Sequence, residues 1–488
     1  MAVDRVQVLI AVPQLAEGGD DPLRELAKQT YGALAEGAVP HLRLNSDSEK
    51  GLKLPSGFHL DPSFGVLPGG PIKGDISFET MNPENTELFI LAGYFDERVN
   101  PVLRVEGRGD VTVMVDLEVS GHLTCGTSRR KGNADDVREN LNVQTLRSNG
   151  LDGVGVAVAL VDTGIQLAYL AKKLNDEQYL SYPHIGKPPI TINTDEARSW
   201  QPPSLASRPF QHCLDHGTMT AYDVLITAPK VTLLDYPMLS ARTPGDHTVR
   251  GTIGAAMTAY HHIAVHWIYY ASLPKPLPKP PYRALVVNNS WGIYNSALDL
   301  PPGNPGRYID NPNHPFRRII SLLNRHNFDI VFSAGNCGSD CPAPPCLHCT
   351  TGTINGASAY PEVLTVAGCD IDRNRVGYSS QGPAIAGMPE PQKPDVTAYT
   401  HFLGSAVLAR WLPDAGTSVS APVTSGCIAA LRTKVDPTGL AQSPADMFAA
   451  FRNNALPRPG PAGWNPDYGF GIINPVAVGQ HFGVIPTN

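Results

Sequence analysis

Short, continuous apolar runs alternate along the chain with segments that have helical spacing. An apolar run without alternation is typical of a strand buried on both faces, as in a parallel sheet. Such runs occupy residues 156–161, 231–236, 284–289 and 328–334. Helical patterns at residues 252–271 and 317–326 separate some of them. Strands that alternate with helices predict an α/β fold with a doubly wound, mostly parallel sheet flanked by helices.

The first 130 residues have a different pattern and predict a small α/β module of their own. Strand-like runs lie at residues 6–12, 86–94 and 111–119, and an amphipathic helix is expected at residues 22–34. The Gly- and Pro-rich stretch at 55–74 is expected to be loop. We therefore predict an N-terminal domain over residues 1–130 and a second domain over residues 136–484. No residue pattern in the first domain indicates chemistry.

Four polar residues follow apolar runs or begin helices, and they suggest a nucleophilic site. Asp162 ends the run at 156–161, where open α/β sheets place their chemistry. His216 opens a helical segment, and Asn336 follows a second buried run. Ser418 lies in a tight turn at the start of a helix, whose unpaired N–H groups and dipole favour a negative oxygen. The alternative for Ser418 is an ordinary Ser/Thr-rich helix cap.

The chain order of these residues and the sequences around them resemble those of the subtilisin family of serine peptidases. The order Asp162, His216, Ser418 differs from the orders of chymotrypsin and the α/β-hydrolases. The main matching blocks are V-D-T-G-I at 161–165, H-G-T at 216–218, S-A-G-N at 333–336 and G-T-S-V-S-A-P at 416–422. Secondary matches are N-S-W-G at 289–292, S-S-Q-G-P at 379–383, K-P-D-V at 393–396 and Y-G-F-G-I-I-N at 468–474. The resemblance covers residues 136–484 and leaves the first 130 uncovered.

The resemblance implies a serine endopeptidase. The long insertion between Asp162 and His216 and the expected cytoplasmic location favour restricted specificity, as in the processing or maturation of proteins or peptides. Ser418 would be the nucleophile, His216 its base, Asp162 the residue that orients His216, and Asn336 an oxyanion donor. The alternative is an inactive or inhibited peptide-binding module. The segments expected to bind the substrate as an extended strand are Ser290, Trp291 and Gly292, and Ser333, Ala334 and Gly335.

The N-terminal module and calcium are further expectations that follow from this family. Its members often carry an N-terminal propeptide that inhibits the enzyme, so residues 1–130 would be a propeptide or a permanent accessory domain. Many relatives bind calcium, and the resemblance implies the same here. The chemistry itself needs no cofactor.

Four cysteines lie close together directly after Asn336, at positions 337, 341, 346 and 349. Four thiolates can bind Zn²⁺ tetrahedrally, or the cysteines can form disulfides or stay free. A zinc ion held by Cys337, Cys341, Cys346 and Cys349 would be structural, because four protein ligands leave no open position.

Composition and charge exclude several function classes. The chain is 42% hydrophobic and 17% charged, which is typical of a globular protein with a large core. A net charge of −7 without a basic cluster argues against a nucleic-acid partner. No apolar run reaches the length of a membrane span. The first residues have no basic segment followed by a cleavage site, which predicts a cytoplasmic protein without a signal peptide, where stable disulfides are disfavoured.

Overall fold

A computed structural model describes most of the chain, and its contacts divide the residues into two compact units. The described residues are 5–16, 21–42, 44, 51–121, 130–181, 190–202, 205, 207–213, 215–242, 249–293, 296–340, 346, 353–458 and 463–487. The first unit comprises Met1–Glu118, Gly251–Pro280 and Ser296–His326, and the second comprises Val119–Arg250, Pro281–Asn295 and Asn327–Asn488. Two later segments thus group with the N-terminal residues. The predicted division into 1–130 and 136–484 stays a prediction.

The helices and strands are numbered here in chain order. The helices are α1 (Pro22–Ala35), α2 (Ala134–Asn140), α3 (Val143–Ser148), α4 (Leu167–Ser181), α5 (His216–Thr227), α6 (Ile253–Trp267), α7 (Pro315–Arg325), α8 (Thr417–Arg432), α9 (Pro444–Asn453) and α10 (Pro475–His481). The strands are β1 (Val6–Pro13), β2 (His59–Leu60), β3 (Leu67–Gly70), β4 (Leu88–Phe95), β5 (Val102–Val105), β6 (Gly109–Val115), β7 (Glu118–Gly121), β8 (Val156–Val161), β9 (Asn193–Thr194), β10 (Thr232–Tyr236), β11 (Ala241–Arg242), β12 (Val249–Thr252), β13 (Ala284–Asn289), β14 (Trp291–Gly292), β15 (Asp329–Ser333), β16 (Leu364–Cys369) and β17 (Val396–Tyr399).

The first unit contains an antiparallel sheet with the strand order β2–β4–β1–β6–β5, and β3 also pairs with β4. The strands predicted at residues 6–12 and 86–94 are present as β1 and β4, and they pair along their whole length from Val6 opposite Phe95 to Pro13 opposite Leu88. The loop prediction for residues 55–74 is wrong in part, because β2 and β3 lie there and bond to β4. The predicted strand at 111–119 is divided between β6 and β7.

A buried ion pair anchors the start of helix α1 in the first unit. Asp21 caps the helix by accepting a hydrogen bond from the backbone N–H of Leu23 at 3.0 Å. Its carboxylate also accepts two hydrogen bonds from the Arg108 guanidinium, at 2.8 and 2.9 Å. Both side chains are buried, and a paired, hydrogen-bonded charge is the form in which an ion tolerates burial. The predicted helix at residues 22–34 is therefore confirmed with its capping residue.

A parallel sheet with the order β17–β16–β15–β13–β8–β10–β9 forms the centre of the second unit. Strand β13 runs parallel to both β8 and β15, so that Asn289 lies opposite Val161 on one side and Phe332 on the other. Every residue of β8, β13 and β15 is buried, which explains the unbroken apolar sequence of β8 and the predominance of apolar residues in the other two strands. Helices flank this sheet, and the predicted doubly wound fold is confirmed. Where parallel strands end side by side, their carboxyl-terminal loops meet at one edge.

Helix α8 is buried along its whole length and packs closely on α5. A Cβ atom at Gly426 would lie 2.4 Å from the carbonyl oxygen of Val224, so only glycine allows this approach. At the far end of α8, Arg432 makes two 2.7 Å hydrogen bonds to Asp329 at the start of β15. These contacts fix the positions of α5 and α8 relative to the sheet. Among the described residues, none of the helices combines the length and apolarity that crossing a bilayer requires.

Candidate active site

Asp162 and His216 form a hydrogen-bonded pair at the carboxyl end of β8, in which Asp162 is buried and His216 is partly exposed. The Nδ1 atom of His216 lies 2.8 Å from Oδ1 and 3.0 Å from Oδ2 of Asp162. Asp162 is fully buried, and its Oδ1 also accepts the backbone N–H of Thr163 at 2.7 Å. A carboxylate bonded to Nδ1 holds the neutral imidazole with its proton on Nδ1 and leaves Nε2 as the acceptor. This is the arrangement of a base that accepts protons at Nε2.

The turns beside this pair are held by close backbone contacts. The backbone N–H of Gly217 donates to Thr163 Oγ1 at 2.8 Å. A Cβ atom at Gly217 would lie only 2.6 Å from the carbonyl oxygen of Gly164, so the helix that begins at His216 can approach only with glycine here. Asp215 accepts the backbone N–H of His216 at 2.7 Å. The His216 ring is therefore fixed from both sides.

Ser418 lies at the second residue of α8, after Gly416 with a φ of +94°. Its Oγ donates a hydrogen bond to the carbonyl oxygen of Ser290 at 3.3 Å. Among the described residues, Nε2 of His216 is buried and has no hydrogen-bond partner, so no hydrogen bond joins it to Ser418. Rotation about one side-chain torsion is the movement that would turn the Ser418 hydroxyl away from Ser290.

Asn336 is fixed against the first turn of α8. Its Oδ1 accepts hydrogen bonds from the backbone N–H of Thr417 at 2.9 Å and from Thr417 Oγ1 at 3.0 Å. Thr417 Oγ1 in turn accepts the backbone N–H of Gly335 at 3.0 Å. Because Oδ1 is engaged as an acceptor, the NH₂ group is the end of the Asn336 amide that can donate. The fully buried Asn336 thus stands beside Ser418 as an oriented donor.

A chain of buried hydrogen bonds also ties β13 to α8. Ser290 Oγ donates to the carbonyl oxygen of Ser418 at 2.9 Å, and Asn288 Nδ2 donates to Ser290 Oγ at 3.1 Å. Ser425 Oγ, two turns further along α8, donates to Asn288 Oδ1 at 3.0 Å. Ser290 was predicted to bind substrate. In the structure its side chain also supports the backbone of the nucleophile position.

The predicted substrate-binding strand at Trp291 and Gly292 is paired in the structure. It forms β14 of a sheet with the order β11–β12–β7–β14. Gly121 lies antiparallel opposite Trp291, and Ser120 lies opposite Gly292. The groove beside β14 therefore accepts an extended strand, and here that strand is a segment of the same chain.

The second predicted substrate-binding segment, Ser333–Gly335, is engaged within the protein at several backbone groups. The Ser333 carbonyl oxygen accepts Ser358 Oγ at 3.0 Å, and the Ala334 N–H donates to the carbonyl oxygen of Val366 at 2.9 Å. The Gly335 N–H is bound to Thr417, as described above. This segment lines a cavity beside Asn336 and therefore shapes the site.

Two of the four clustered cysteines form a disulfide, which is one of the alternatives that the sequence left open. Cys337 and Cys346 are joined, and a sulfur in a disulfide is not a thiolate that can bind zinc. A four-cysteine zinc site would therefore require the reduced chain. Cys341 and Cys349 lie outside the described residues. The structure favours the disulfide alternative for the described pair, directly after Asn336.

The structure also reveals supporting residues that the motifs did not indicate. His212 Nε2 lies 3.2 Å from Asp235 Oδ2, and both side chains are buried. Asp235 also accepts the backbone N–H groups of Phe210 at 2.6 Å and of Ile165 at 3.3 Å. It thereby holds the turn that follows Asp162. The available signal was an aspartate at the carboxyl end of an apolar run, the same signal that marks Asp162.

A second unexpected feature is a pair of buried acids, one on α5 and one shortly before α8. Asp223 lies on α5, and both its carboxyl oxygens are buried without a partner among the described residues. Burial, with a smaller effect from Asp414, raises the Asp223 pKa well above its usual range. Burial also raises the pKa of Asp414 to about 7, although hydrogen bonds from Ser405 act in the opposite direction. A lone acid in the apolar sequence of α5 was the signal for Asp223.

The sequence of the chain is similar to the sequences of two named proteins. Bacillopeptidase F of Bacillus subtilis (strain 168) is 24% identical over 339 residues, which are 67% of this chain and 20% of that protein. The human membrane-bound transcription factor site-1 protease is 30% identical over 168 residues, which are 34% of this chain and 14% of that protein. The chain thus corresponds to a fifth or less of the length of these relatives.

Two solved structures are also similar to the chain. MycP1 from the ESX-1 type VII secretion system is 21% identical with a TM-score of 0.43, over 74% of this chain and 91% of that one. The prenylagaramide maturation protease PagA is 16% identical with a TM-score of 0.44, over 70% of this chain and 97% of that one. The model of the subtilase family matches residues 153–471, well over half of the chain. The chain belongs to the subtilase family of serine peptidases.

Proposed function

We propose that the chain is a serine endopeptidase in which Asp162, His216 and Ser418 act as a catalytic triad. The observation that carries this proposal is the fixed pair of His216 Nδ1 with Asp162, at 2.8 Å, which leaves a buried Nε2 that has no partner among the residues the structure describes. For His216 to act as a base, its Nε2 atom needs a proton donor. Ser418, at the start of α8, is the hydroxyl that the sequence motif indicates as this donor. Family membership supports the same assignment.

Acylation in this mechanism forms one bond and breaks another. Ser418 Oγ attacks the carbonyl carbon of the scissile peptide bond, and its proton passes to His216 Nε2. The C–N bond then breaks, and the leaving amine takes that proton. Water hydrolyses the resulting ester with His216 again as the base, which restores Ser418. Asp162 keeps its negative charge throughout and stabilises the transient imidazolium.

Asn336 and the start of α8 stabilise the negative oxygen of the tetrahedral intermediate. The Asn336 NH₂ group and the backbone N–H of Ser418 are the proposed donors. Because Thr417 already fixes the orientation of the Asn336 amide, little reorganisation is needed when charge develops. The substrate binds as an extended strand beside β14, through main-chain hydrogen bonds.

The proposed biological role is limited processing or maturation of proteins or peptides. The groove beside β14 holds an antiparallel strand in this structure, so it selects extended segments and not folded surfaces. The test compares hydrolysis of casein with hydrolysis of short, flexible peptide segments by wild type and by Ser418→Ala. We expect cleavage at few sites by wild type and none by the variant. Cleavage by both proteins would contradict the assignment of Ser418.

A second candidate, a groove inhibited by its own chain, is favoured by the pairing of β7 with β14. Ser120 and Gly121 occupy the place where a substrate strand would bind. Because β7 has a neighbouring strand on each side, the N–H of Ser120 faces one of them. Ser120→Pro removes that donor and should displace the strand, whereas Ser120→Ala retains it and serves as the matched control.

The inhibited state predicts a higher rate of peptide hydrolysis for Ser120→Pro than for wild type and Ser120→Ala. Both variants should have the circular dichroism spectrum of the wild type. Equal rates for all three proteins would contradict inhibition by this strand. The assignment of the triad would stand, because it is tested separately by Ser418→Ala.

A further inference from the structure

The strand beside β14 also shows how a substrate is aligned with Ser418. Ser120 lies opposite Gly292 and Gly121 lies opposite Trp291, so the chain runs toward Ser290 as its residue numbers rise. A substrate in this register would place its next residue opposite Ser290, whose carbonyl oxygen accepts Ser418 Oγ. That residue, at the Ser290-facing position, would present the carbonyl group that is attacked. The residue before it would occupy the position of Gly121, named here the His216-facing position.

A side chain at the His216-facing position would contact His216 and Leu239 from its first atom. A Cβ atom at Gly121 would lie 3.7 Å from Cγ and Nδ1 of His216 and 3.7 Å from Cδ1 of Leu239. These are ordinary van der Waals distances, so a methyl group fits. A longer side chain would extend from an atom that already touches both residues. His216 cannot yield without losing its bonds to Asp162.

A small, uncharged cavity lies on the other side of the site, beside Asn336. Its lining includes Ile293, Ala334, Thr353, Asn355, Ser358 and Ser380. The cavity has a free volume of about 20 Å³, which is room for about one water molecule. None of its described lining residues carries a charge, so a charged side chain would find no counter-ion there.

Thr353 gives this cavity a hydrogen-bonding preference. Its hydroxyl is buried, the residue being 9% exposed, and it has no partner among the described residues. The other two hydroxyls of the lining are already engaged, since Ser358 donates to Ser333 and Ser380 accepts the N–H of Cys337. A small side chain with its own hydroxyl group would satisfy Thr353.

We propose that the groove selects glycine or alanine at the His216-facing position and a small, uncharged residue at the Ser290-facing position, with serine or threonine preferred. The inference rests on the proposed function, since it concerns the peptide bond that Ser418 attacks. It names the substrate class as flexible segments rich in small residues. Leu239 and Thr353 are the specificity-determining residues.

The test uses the full-length chain and internally quenched peptides that differ at one position at a time. At the His216-facing position, we expect kcat/KM for glycine or alanine to exceed that for leucine by about ten-fold or more. At the Ser290-facing position, serine should exceed phenylalanine and arginine by a similar factor. If the chain's own strand competes for the groove, it lowers kcat/KM of every peptide equally, so the ratios are unaffected.

Two variants separate the two preferences. Leu239→Ala should reduce the discrimination against leucine at the His216-facing position and leave the serine preference at the next position. Thr353→Val keeps the shape of the side chain and removes its hydroxyl, so it should lower the serine-to-alanine ratio by about ten-fold while the discrimination against phenylalanine remains.

The outcomes are distinguishable from failure of the proposed function. Cleavage that favours leucine, phenylalanine or arginine at these positions, by a chain whose Ser418 reacts with a fluorophosphonate, would overturn the inference alone. Unchanged ratios in both variants would also overturn it. No hydrolysis of any peptide by wild type or Ser120→Pro, together with an unreactive Ser418, would overturn the proposed function and the inference with it.

Discussion

The two halves of the proposed catalytic site differ in which of their hydrogen bonds are already in place. On the acid–base side, His216 Nδ1 already lies 2.8 Å from Asp162, and both flanking turns are fixed by backbone hydrogen bonds. On the nucleophile side, Asn336 and Thr417 are equally fixed, but the Ser418 hydroxyl donates to Ser290 instead of His216. In the proposed mechanism, the base is therefore preorganised, whereas the Ser418 hydroxyl must rotate away from Ser290 before it can donate to His216.

Substitution of Ser418 or of Asp162 should have the largest effect on kcat. We expect Ser418→Ala to lower kcat by about 10⁶-fold and Asp162→Asn by about 10⁴-fold, because the first removes the nucleophile and the second favours the wrong tautomer of His216. The measurement is steady-state hydrolysis of a quenched peptide.

Ser420→Ala is the matched control on the same helix. Ser420 Oγ donates to the carbonyl oxygen of Ala398 and has no place in the mechanism. This variant should retain kcat within about ten-fold, since it loses one ordinary hydrogen bond. Equal losses of kcat for Ser418→Ala and Ser420→Ala would show a packing effect and would contradict the role of Ser418 as the nucleophile.

The oxyanion donor should have the next largest effect. Asn336→Ala is expected to lower kcat by about 10²–10³-fold with little change in KM, because the lost hydrogen bond forms mainly in the transition state. Steady-state kinetics separates the two constants. A rise in KM at constant kcat would assign Asn336 to substrate binding and contradict its role beside Ser418.

The pH dependence of stability tests the two buried acids, Asp223 on α5 and Asp414 shortly before α8. Burial raises the Asp414 pKa from 3.8 to about 7, so between these values the folded chain holds a proton that the unfolded chain has lost. Its contribution to stability is therefore fully present below about pH 4 and is lost as the pH rises toward 7. Asp414→Asn mimics the protonated acid and should remove this loss.

Urea unfolding measures this effect. Between about pH 5 and pH 7.5, the unfolding free energy of wild type should fall by about 2 kcal/mol more than that of Asp414→Asn. The Asp223 pKa shifts in the same direction, with burial as the main cause. Parallel pH profiles for wild type and Asp414→Asn would refute the prediction.

Thr417→Val should have the smallest effect on kcat, and it tests how the Asn336 amide is oriented. It removes the hydroxyl that donates to Asn336 Oδ1 and accepts from Gly335, but keeps the backbone N–H that also bonds to Asn336. We expect kcat to fall by about ten-fold, since one of two orienting hydrogen bonds is lost. An unchanged kcat would mean that the backbone bond alone orients the amide.

The sequence predicted the positions of Asp162, His216, Asn336 and Ser418 because each lies at the end of a buried strand or the start of a helix. Those elements are determined locally, by unbroken apolar runs, and the structure has them almost at the predicted residues. The hydrogen-bond partner of Ser418 could not be predicted, because a rotatable hydroxyl leaves no mark in a sequence pattern.

Pairings between distant segments were also beyond prediction. The segment at 120–121 lies beside 291–292, and nothing in its sequence specifies that partner. Likewise, Gly and Pro residues predicted a loop at 55–74, but pairing with β4 makes strands of His59–Leu60 and Leu67–Gly70. In both cases the tertiary contact outweighs the local propensity.

Reaction of Ser418 with a fluorophosphonate tests the central claim most directly, namely that His216 is the base for Ser418. Intact mass is recorded over time for wild type and His216→Ala, with Ser418→Ala as the blank. We expect a single adduct on wild type, no adduct on Ser418→Ala, and labelling of His216→Ala that is slower by several orders of magnitude. Equal labelling rates for wild type and His216→Ala would contradict the assignment of His216 as the base for Ser418.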